Sequence, residues 1–392
     1  MKFLIITHVI HIEKNKQYFA YEPYVREMNI WLKKVDEVII IAPLVKDYPT
    51  SIDTFYKHSN IDFRKVPTFS LTSFRNSVVA FFKVPTILLK LFITMQQGDH
   101  IHLRCPGNIG LLACIVQIFF PSKTKTAKYA GNWDPKAKQP WTYRLQRWIL
   151  SNSFLTRNMK VLVYGEWPGQ SQNIMPFFTA SYSESEIVPL KKLSVQSQSN
   201  NLSVRAQSGI MSVRAQSRTS FLFVGTLSPG KQPLYAIQLV EQLHQLGYLV
   251  QLDIYGDGCL RNELMTYIVE NNLERFVFLH GNQNQEVLKK AYQQSHFVIL
   301  ASKSEGWPKA IAEGMFWGCV PLAFSVSCVP DMLDNGNRGM LLQMDLENDA
   351  MQLCALINYP DDFEKKSKLA MQWSGKFTLE RFETEIHKLL QG

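Results

Sequence analysis

Apolar positions along the chain follow two patterns, one typical of strands and one typical of helices, and the two patterns alternate. Short runs rich in Val, Ile and Phe predict buried strands, and longer segments with apolar residues three and four positions apart predict helices. The predicted strands cover residues 3–7, 38–42, 100–103, 126–129 and 161–164 in the first half, and 221–224, 250–255, 277–279, 297–300 and 320–324 in the second. The alternation is typical of parallel βαβ units, and it predicts two doubly wound α/β domains.

Helical segments are predicted between these strands. One helix opens at Glu22-Pro23, since proline fits a first turn, and others cover 234–246, 263–271, 285–294 and 308–317. Residues 74–97 mix apolar side chains with Arg75, Lys83 and Lys90, and Pro85 is expected to prevent one straight helix. This segment either packs on a sheet, which the architecture favours, or lies on a membrane surface.

The domain boundaries are expected where the composition changes. From about Leu193 the chain is rich in Ser and Gln, and a nine-residue unit begins at Ser194, Ser203 and Ser212. Three short copies cannot form a solenoid core, so 191–220 is interpreted as an insert or linker. The expected domains are 1–190, joined by a C-terminal helix over 377–392, and 221–376.

Charge divides the chain unevenly. Residues 1–190 contain 23 Lys and Arg against 13 Asp and Glu, whereas residues 191–392 contain 19 against 20. The excess predicts an anionic partner for the first half, with membrane headgroups or a lipid-phosphate acceptor ahead of nucleic acid, which is not expected. A basic solvated surface without a partner is the alternative.

The cysteines and the N-terminal sequence favour a cytoplasmic protein, with peripheral attachment to the inner face of a membrane as an option. The six cysteines have neither zinc-ligand nor redox spacing. The N-terminal apolar run is short and lacks a small-residue cleavage site, so it is interpreted as a strand. The longest apolar run, 109–120, is too short to span a bilayer.

The stretch with the most chemical content is Ser304-Glu305-Gly306-Trp307-Pro308-Lys309-Ala310-Ile311-Ala312-Glu313-Gly314. It begins just after a predicted strand, and Pro308 opens a helix that carries Glu313 just over one turn later. Two carboxylates in this arrangement can bind two sets of hydroxyls, with the free amides of a helix start between them. A sugar, a diphosphate and a ribose together need that combination.

This stretch resembles the Glu-x7-Glu motif of the family-4 retaining glycosyltransferases, which belong to the glycosyl transferases group 1 and have the GT-B fold. The resemblance runs from Phe221 to about Leu342. It includes the segments at 224–231 (VGTLSPGK), 254–258 (IYGDG), 278–282 (FLHGN), 318–323 (GCVPLA) and 329–339 (VPDMLDNGNRG). It implies two Rossmann-like domains that face each other across a cleft.

The resemblance also implies roles for individual residues. Glu313 would bind the ribose hydroxyls, Glu305 would contact the donor sugar, and Lys231 would neutralise the leaving diphosphate. The expected catalytic residues are Glu305, Lys231 and Arg104. The expected donor-binding residues are Gly225, Thr226, Lys231, Gly256, Gly281, Glu305, Gly306, Trp307, Lys309, Ala310 and Glu313.

Departures from the family pattern concern the phosphate and acceptor sides. Thr226 stands where family members usually have Arg, which removes a bidentate phosphate partner. Lys309 or Arg104 are candidates to compensate. The family often has a glycine-rich loop after the first strand, but this chain has Thr7-His8-Val9-Ile10-His11, and its first glycine is Gly98.

The acceptor side is expected to use residues after the first-half strands. Arg104 stands at the second position of the family's His-x-His-like segment, where it either stabilises phosphate charge or pairs with a carboxylate. His102 is read as a packing residue in preference to a ligand contact. Asn132 and Asp134 either meet acceptor hydroxyls or build a turn. The acceptor-side candidates are His8, His102, Asn108, Asn132 and Asp134.

The implied reaction moves a sugar from a UDP- or GDP-sugar to a glycan or lipid-linked acceptor with retention of configuration, in cell-surface polysaccharide synthesis. Charge stabilisation and positioning are its main demands. No Asp-x-Asp segment occurs in the sequence, which fits a reaction without a metal, and no cofactor beyond the nucleotide-sugar co-substrate is expected. The alternatives are a non-catalytic nucleotide-sugar-binding partner subunit and a sugar-nucleotide epimerase of the same fold.

Overall fold

The computed structural model describes residues 1–69, 74–188 and 218–391. These residues form two compact units. Apart from the undescribed residues, the first unit contains Met1–Tyr182, Glu305–Trp307 and Phe377–Gly392, and the second contains Ser183–Ser304 and Pro308–Lys376. The predicted insert 191–220 lies outside the described residues except for its last three, of which Thr219 and Ser220 already belong to a strand.

The secondary structure elements are numbered in chain order. The strands are β1 (Lys2–Ile6), β2 (His11–Lys14), β3 (Gln17–Tyr21), β4 (Glu37–Ala42), β5 (Leu44–Val45), β6 (Asp53–Phe55), β7 (Ile61–Lys65), β8 (His100–Cys105), β9 (Thr124–Tyr129), β10 (Met159–Tyr164), β11 (Ile174–Phe177), β12 (Thr219–Val224), β13 (Val250–Tyr255), β14 (Val277–Gly281), β15 (Phe297–Leu300), β16 (Val320–Phe324) and β17 (Met340–Leu342). The α-helices are α1 (Glu22–Trp31), α2 (Phe74–Gln97), α3 (Asn108–Val116), α4 (Trp141–Leu150), α5 (Pro233–Gln245), α6 (Arg261–Glu270), α7 (Gln285–Gln294), α8 (Lys309–Phe316), α9 (Val329–Met332), α10 (Leu346–Asn358), α11 (Pro360–Ser374) and α12 (Leu379–Gln391).

The first unit is built on a parallel sheet of seven strands in the order β11-β10-β9-β8-β1-β4-β7. Residues 3–6 of β1 are all fully buried, as expected for a strand covered on both faces. Leu4 and Ile6 pack in one core with α2 and α3, whereas Phe3 and Ile5 pack in the other with α1 and α12. The predicted doubly wound arrangement is confirmed for this unit.

A small sheet of order β5-β2-β3-β6 also belongs to the first unit, and the sequence pattern does not predict it. β2 and β3 form an antiparallel hairpin whose two turn residues, Asn15 and Lys16, have φ angles of 52° and 61°. Such a turn is usually recognised by Asn-Gly or Asp-Gly. Lys16 occupies the position of the glycine, so the usual sequence signal is missing.

Helix α2 is continuous through Pro85, where the sequence predicts an interruption. Ile87, Leu91 and Met95 recur every four residues and are buried against the sheet, so packing along this face holds the helix together across the proline. The preferred interpretation, a helix packed on the sheet, is therefore confirmed for this face. Among the described residues, no helix combines the length and apolar character needed to cross a bilayer.

The second unit has a parallel sheet of six strands in the order β14-β13-β12-β15-β16-β17. All five strands predicted for the second half are present, and the four predicted helices correspond to α5 to α8 within about three residues at each end. The core contains residues from β12, β13, β15 and β16 together with α5 and α10. The doubly wound prediction holds for this unit as well.

Gly314 is the position at which α8 packs most closely on β15. A Cβ atom added there would lie 2.6 Å from Val298 Cγ1. We therefore expect Gly314→Ala to lower the free energy of unfolding by about 1–3 kcal/mol despite the better helix propensity of alanine. Urea denaturation of Gly314→Ala in the wild-type and Val298→Ala backgrounds measures this. The loss of unfolding free energy caused by Gly314→Ala should be smaller in the Val298→Ala background. An equal loss in both backgrounds would contradict the packing explanation.

Candidate functional site

The strand order of the second sheet creates a crevice at its carboxyl edge. β12 lies between β13 and β15, so the connections that follow β12 and β15 leave in opposite directions. Ligands of doubly wound sheets bind at such a reversal. The amide of Lys303 donates to the carbonyl of Gly230 at 2.9 Å, which joins the loop after β15 to the loop that carries Lys231.

Glycines bring the neighbouring loops of this edge into contact. Gly256 has a φ of 143°, and a Cβ atom there would lie 1.9 Å from the carbonyl oxygen of Gly225. The amide of Gly225 donates to Tyr255, and the amide of Gly256 donates to Gly281, each at 2.9 Å. These two amides are engaged within the protein, so Gly225 and Gly256 serve close approach of the backbone and do not donate to a ligand.

Helix α8 holds the second carboxylate of the Glu-x7-Glu motif. The hydroxyl of Tyr292 donates to Glu313 Oε2 at 3.1 Å, and Lys309 Nζ lies 3.5 Å from Glu313 Oε1. Because Tyr292 is fully buried, it fixes the position of this carboxylate from beneath. The helix begins at Lys309, so the amides of Lys309 and Ala310 lie in its first turn, where amides lack partners within the helix.

The first carboxylate of the motif belongs to the other unit. Residues 305–307 pack with the first unit, although the sequence places them in the domain 221–376. A Cβ atom at Gly306 would lie 2.8 Å from the carbonyl oxygen of Ala130, and the Trp307 ring packs on Tyr164 and Phe377. Glu305 itself is buried, with 7% of its surface exposed. A glycine is required at 306 because no side chain fits against Ala130.

The first sheet has its own strand reversal, between β1 and β8. His8 follows β1, and Gly107 and Asn108 follow β8. A Cβ atom at Gly107 would lie 2.7 Å from His8 Nδ1, so the two loops touch at this point. Desolvation and the nearby Arg104 guanidinium hold the pKa of His8 below its ordinary value, which favours the neutral ring at neutral pH. Asn108 donates to the carbonyl of Phe69 at 3.0 Å.

Arg104 takes part in a buried cluster of three charges. Arg104 and Lys128 each lie 3.0 Å from Glu27 Oε1. Burial alone would raise the pKa of the Glu27 carboxyl, but the two cations outweigh it and keep that pKa below its ordinary value. Of the two alternatives for Arg104, pairing with a carboxylate is thus observed. The cluster still has a net charge of +1 when all three groups are ionised.

Three acceptor-side candidates are occupied by local structure. His102 is fully buried, stacks on Phe3, and lies 2.8 Å from Thr126 Oγ1 through Nδ1, so it cannot meet an acceptor. Burial, followed by the charges around it, lowers the pKa of His102 well below its ordinary value. Asn132 Oδ1 accepts from the amide of Asp134, and Asp134 Oδ1 accepts from the amide of Lys136. This is the turn that the sequence offered as an alternative.

Glu27, Lys128 and Tyr292 are the residues that sequence analysis missed. Glu27 had a detectable signal, since it lies on the buried face of α1 with Tyr24, Val25, Met28 and Trp31. Lys128 lies in the central part of a sheet that is covered on both faces, where a charge is unusual. Tyr292 had no such signal, because a buried tyrosine in a helix is ordinary.

Comparison with known proteins identifies the second unit. Residues 212–371 match the family model of the glycosyl transferases group 1. This segment belongs to the glycosyl transferases group 1. The match includes Lys231 and the whole of the Glu-x7-Glu motif, and it covers all of 221–342, the stretch that resembles the family in sequence.

Two curated relatives match parts of the chain. A poly(ribitol-phosphate) α-N-acetylglucosaminyltransferase of Staphylococcus aureus is 26% identical over 137 residues, which cover 34% of this chain and 27% of that protein. A GDP-mannose:cellobiosyl-diphosphopolyprenol α-mannosyltransferase of Xanthomonas oryzae is 26% identical over 179 residues, which cover 44% and 47%. The chain thus spans less than half the length of either relative.

A solved structure extends the likeness to the whole chain. The crystal structure of Anabaena HepE in complex with UDP and glucose has a TM-score of 0.67 and 14% identity, and the alignment covers 100% of this chain and 99% of that one. At this identity the likeness concerns the fold. It confirms the GT-B fold class that the sequence predicts.

The charge cluster generates a prediction about stability. Glu27→Gln leaves Arg104 and Lys128 buried without a counter-charge, so we expect it to lower the free energy of unfolding by about 3–5 kcal/mol at pH 7. The matched control, Glu22→Gln on the same helix, removes a half-exposed pair with Arg26 at 3.9 Å and should cost less than about 1 kcal/mol. Chemical denaturation of the three proteins measures both differences.

The same comparison has a defined pH dependence. A carboxyl whose folded pKa is depressed stabilises the fold above its unfolded pKa, and that stabilisation disappears as the pH falls through the folded pKa. The difference in the free energy of unfolding between wild type and Glu27→Gln should therefore be constant above the ordinary glutamate pKa, 4.5, and should become smaller below it. If this difference instead increases on acidification, Glu27 is neutral in the folded protein.

Proposed function

We propose that this protein transfers a sugar from a UDP- or GDP-sugar to a glycan or lipid-linked acceptor with retention of configuration, in cell-surface polysaccharide synthesis. The observation that carries the proposal lies in the second unit. There the Lys231 loop and the loop that leads to α8 are joined at the strand reversal, and Tyr292 holds Glu313 on α8.

The donor roles follow from the chemistry of these groups. Glu313 accepts hydrogen bonds from the ribose hydroxyls, and Lys309 and Ala310 present their amides to the diphosphate at the start of α8. Lys231 neutralises charge on the leaving phosphate. Gly225 and Gly256 let the loops of this edge approach each other, and Gly281 leaves the end of β14 without a side chain beside the nucleotide. Glu305 and Gly306 meet the donor sugar, and Trp307 holds their loop in place.

The reaction breaks the bond between the anomeric carbon and the diphosphate oxygen, and the acceptor hydroxyl attacks on the face that the diphosphate leaves. Positive character develops on the sugar while negative charge grows on the phosphate. Lys231 and the amides of the first turn of α8 stabilise the phosphate without a metal or further cofactor. Exclusion of water limits hydrolysis of the donor.

Thr226 and Arg104 bear on the strength of catalysis. Thr226 is exposed after β12 and supplies no charge. Arg104 is paired, yet its cluster with Glu27 and Lys128 keeps a net charge of +1, and His8 beside it is held neutral. We propose that this cluster adds positive potential in place of the missing arginine. His8 and Asn108 then stand on the acceptor side.

The comparisons leave the base of the donor open between two candidates. The Xanthomonas relative is named for GDP-mannose, and the Anabaena structure contains UDP and glucose. A thermal-shift panel of UDP, GDP and ADP with their sugars separates them, since a bound ligand raises the melting temperature by mass action. A rise with one base alone identifies the donor. No rise with any member argues against a nucleotide-sugar protein.

We expect Lys231→Ala to lower the transfer rate about 10²–10³-fold, because it removes a charge that stabilises the leaving group. Radiolabelled UDP- and GDP-sugars with a lipid-linked acceptor extract measure transfer, and Lys365→Ala, an exposed lysine of α11, is the matched control. Binding without transfer, together with unchanged behaviour of Glu305→Ala, supports the non-catalytic partner subunit. An epimerised nucleotide-sugar released without acceptor supports the epimerase.

Tyr292→Phe tests the support of Glu313 separately. Loss of one hydrogen bond to a carboxylate should raise the Kd for the nucleoside diphosphate about 3–10-fold, whereas Glu313→Gln should raise it more, about 10–100-fold. Isothermal titration with the nucleotide identified by the panel measures both. The control is Tyr267→Phe. It removes a hydroxyl that donates to Glu241 at 2.7 Å, between α6 and α5. An effect of Tyr292→Phe no larger than that of the control would remove Tyr292 from the site.

A further inference from the structure

Helices α2, α3 and α4 cover one face of the first sheet, and their outer side has an unusual composition. Their inner residues, such as Leu91, Leu112 and Ile149, belong to one core. On the outer side, however, large apolar residues are exposed: Leu89 by 61%, Phe119 by 67%, Trp148 by 60% and Phe154 by 70%. Large apolar residues gathered on one side of a unit mark a contact surface.

The exposed residues of α2, of the turn after α3 and of the loop after α4 adjoin one another. The rings of Phe92 and Phe119 lie 6.2 Å apart, which joins α2 to the turn after α3. Gln117 in that turn donates to the carbonyl of Leu155 at 3.0 Å, which brings the Phe154 loop alongside. The Arg157 guanidinium lies 4.6 Å from the centre of the Phe154 ring. We call this surface, together with the exposed side of α4, which neighbours α3, the aromatic-basic face. It comprises residues 89–93, 115–119, 141–148 and 154–157.

Basic residues alternate with the apolar ones on this face. On α4, Trp141, Arg144 and Trp148 are all exposed, and their spacing of three and four places them on one side of the helix. On α2, Leu89 and Ile93 are exposed, while Lys90 donates to the carbonyl of Lys65 at 2.7 Å. Aromatic rings and long basic side chains in alternation are typical of helices that lie at a bilayer interface.

The charge of the chain is concentrated in this part. Residues 63–165 contain fifteen Lys and Arg but two acidic residues, Asp99 and Asp134, whereas residues 1–62 contain eight of each sign. Arg104, Lys125 and Lys128 are buried or paired inside, but Arg144 and Arg157 are exposed. No acidic residue belongs to α2, α3, α4 or the loop after α4. The face is therefore apolar and cationic at once.

We propose that the aromatic-basic face docks on a membrane surface of anionic phospholipid. Lipid headgroups complement Arg144 and Arg157, and the acyl region takes the aliphatic Leu89 and Ile93 together with the aromatic rings. A second copy of the chain would bring the same cations face to face, which disfavours self-association. The bases of a nucleic acid could stack on the aromatic rings, but they have no aliphatic groups that would bury Leu89 and Ile93.

This proposal is independent of the transfer reaction. It requires no bound donor and uses none of the residues assigned to the donor site. A chain that binds no nucleotide could still dock, and a chain with full transfer to a soluble acceptor could still fail to dock. The vesicle experiment therefore distinguishes the failure of docking from the failure of the proposed function.

The test is sedimentation of the full chain with vesicles of phosphatidylcholine alone and of phosphatidylcholine mixed with phosphatidylglycerol. Binding is expected for the mixed vesicles and should be at least about tenfold weaker without the anionic lipid. Raising the salt from about 0.1 M to about 1 M shortens the screening length from about 10 Å to about 3 Å and should weaken binding. Equal binding to both vesicles, or to neither, overturns the proposal.

Two variants locate the surface. Arg144→Glu with Arg157→Glu, and separately Leu89→Ser with Phe119→Ser and Trp148→Ser, should each reduce partitioning at least about tenfold. The matched controls lie on the second unit: Lys365→Glu with Lys368→Glu, and Leu246→Ser with Met265→Ser and Val269→Ser. The controls should bind like wild type, and melting curves confirm that each variant is folded.

Three outcomes contradict the assignment. Losses as large in the controls as in the variants show that the contact is not at this face. A concentration-dependent dimer in light scattering that the apolar variant abolishes assigns the face to a second copy. Binding of single-stranded RNA that vesicles do not displace, and that the charge variant removes, assigns it to nucleic acid.

Discussion

In both sheets the first strand of the unit lies in the interior, with strands added on either side of it. This order obliges the connections beside β1 and beside β12 to leave in opposite directions, and it opens the carboxyl edge at those points. Nearly every residue with assigned chemistry depends on this arrangement. His8 and Gly107 meet at one reversal, and the Lys231 loop meets the loop after β15 at the other.

Buried charge sets a second condition on the first unit. Lys128 lies among Tyr164, Phe177 and Phe382, and its contact with Glu27 offsets part of the desolvation of both. A buried ion pair adds little net stability, yet removal of one partner is costly. Part of the excess positive charge of the first half is therefore internal, since Lys125 and Lys128 are both buried and Glu27 offsets one of them.

Periodicity predicted the large sheets well because their central strands are unbroken apolar runs, such as residues 38–41 and 297–300. Periodicity failed where a structural feature leaves no periodic pattern of apolar residues in the sequence. The β2–β3 hairpin turns at Asn15-Lys16 without a glycine, and α2 continues through Pro85 because one face is packed.

The site was predicted from local motifs, and such motifs do not contain the contacts between residues that are far apart in the chain. The spacing of Glu305 and Glu313 predicts a site in this stretch, but it could not show that 305–307 pack with the first unit. His102 reads the same in sequence whether it faces a ligand or lies among Phe3 and Trp31. Contacts between residues far apart in the chain decide such cases.

The return of α12 to the first unit has a consequence for synthesis on the ribosome. Phe382 packs on Phe177 and near Lys128, so the core of the first unit includes a helix made about 200 residues after Tyr182. At roughly 5–20 residues per second, that helix emerges some 10–40 s later. During this interval the second unit is synthesised, while the first unit exposes the apolar surface that α12 will cover. Until α12 arrives, the nascent chain presents an additional apolar surface of the kind that chaperones bind.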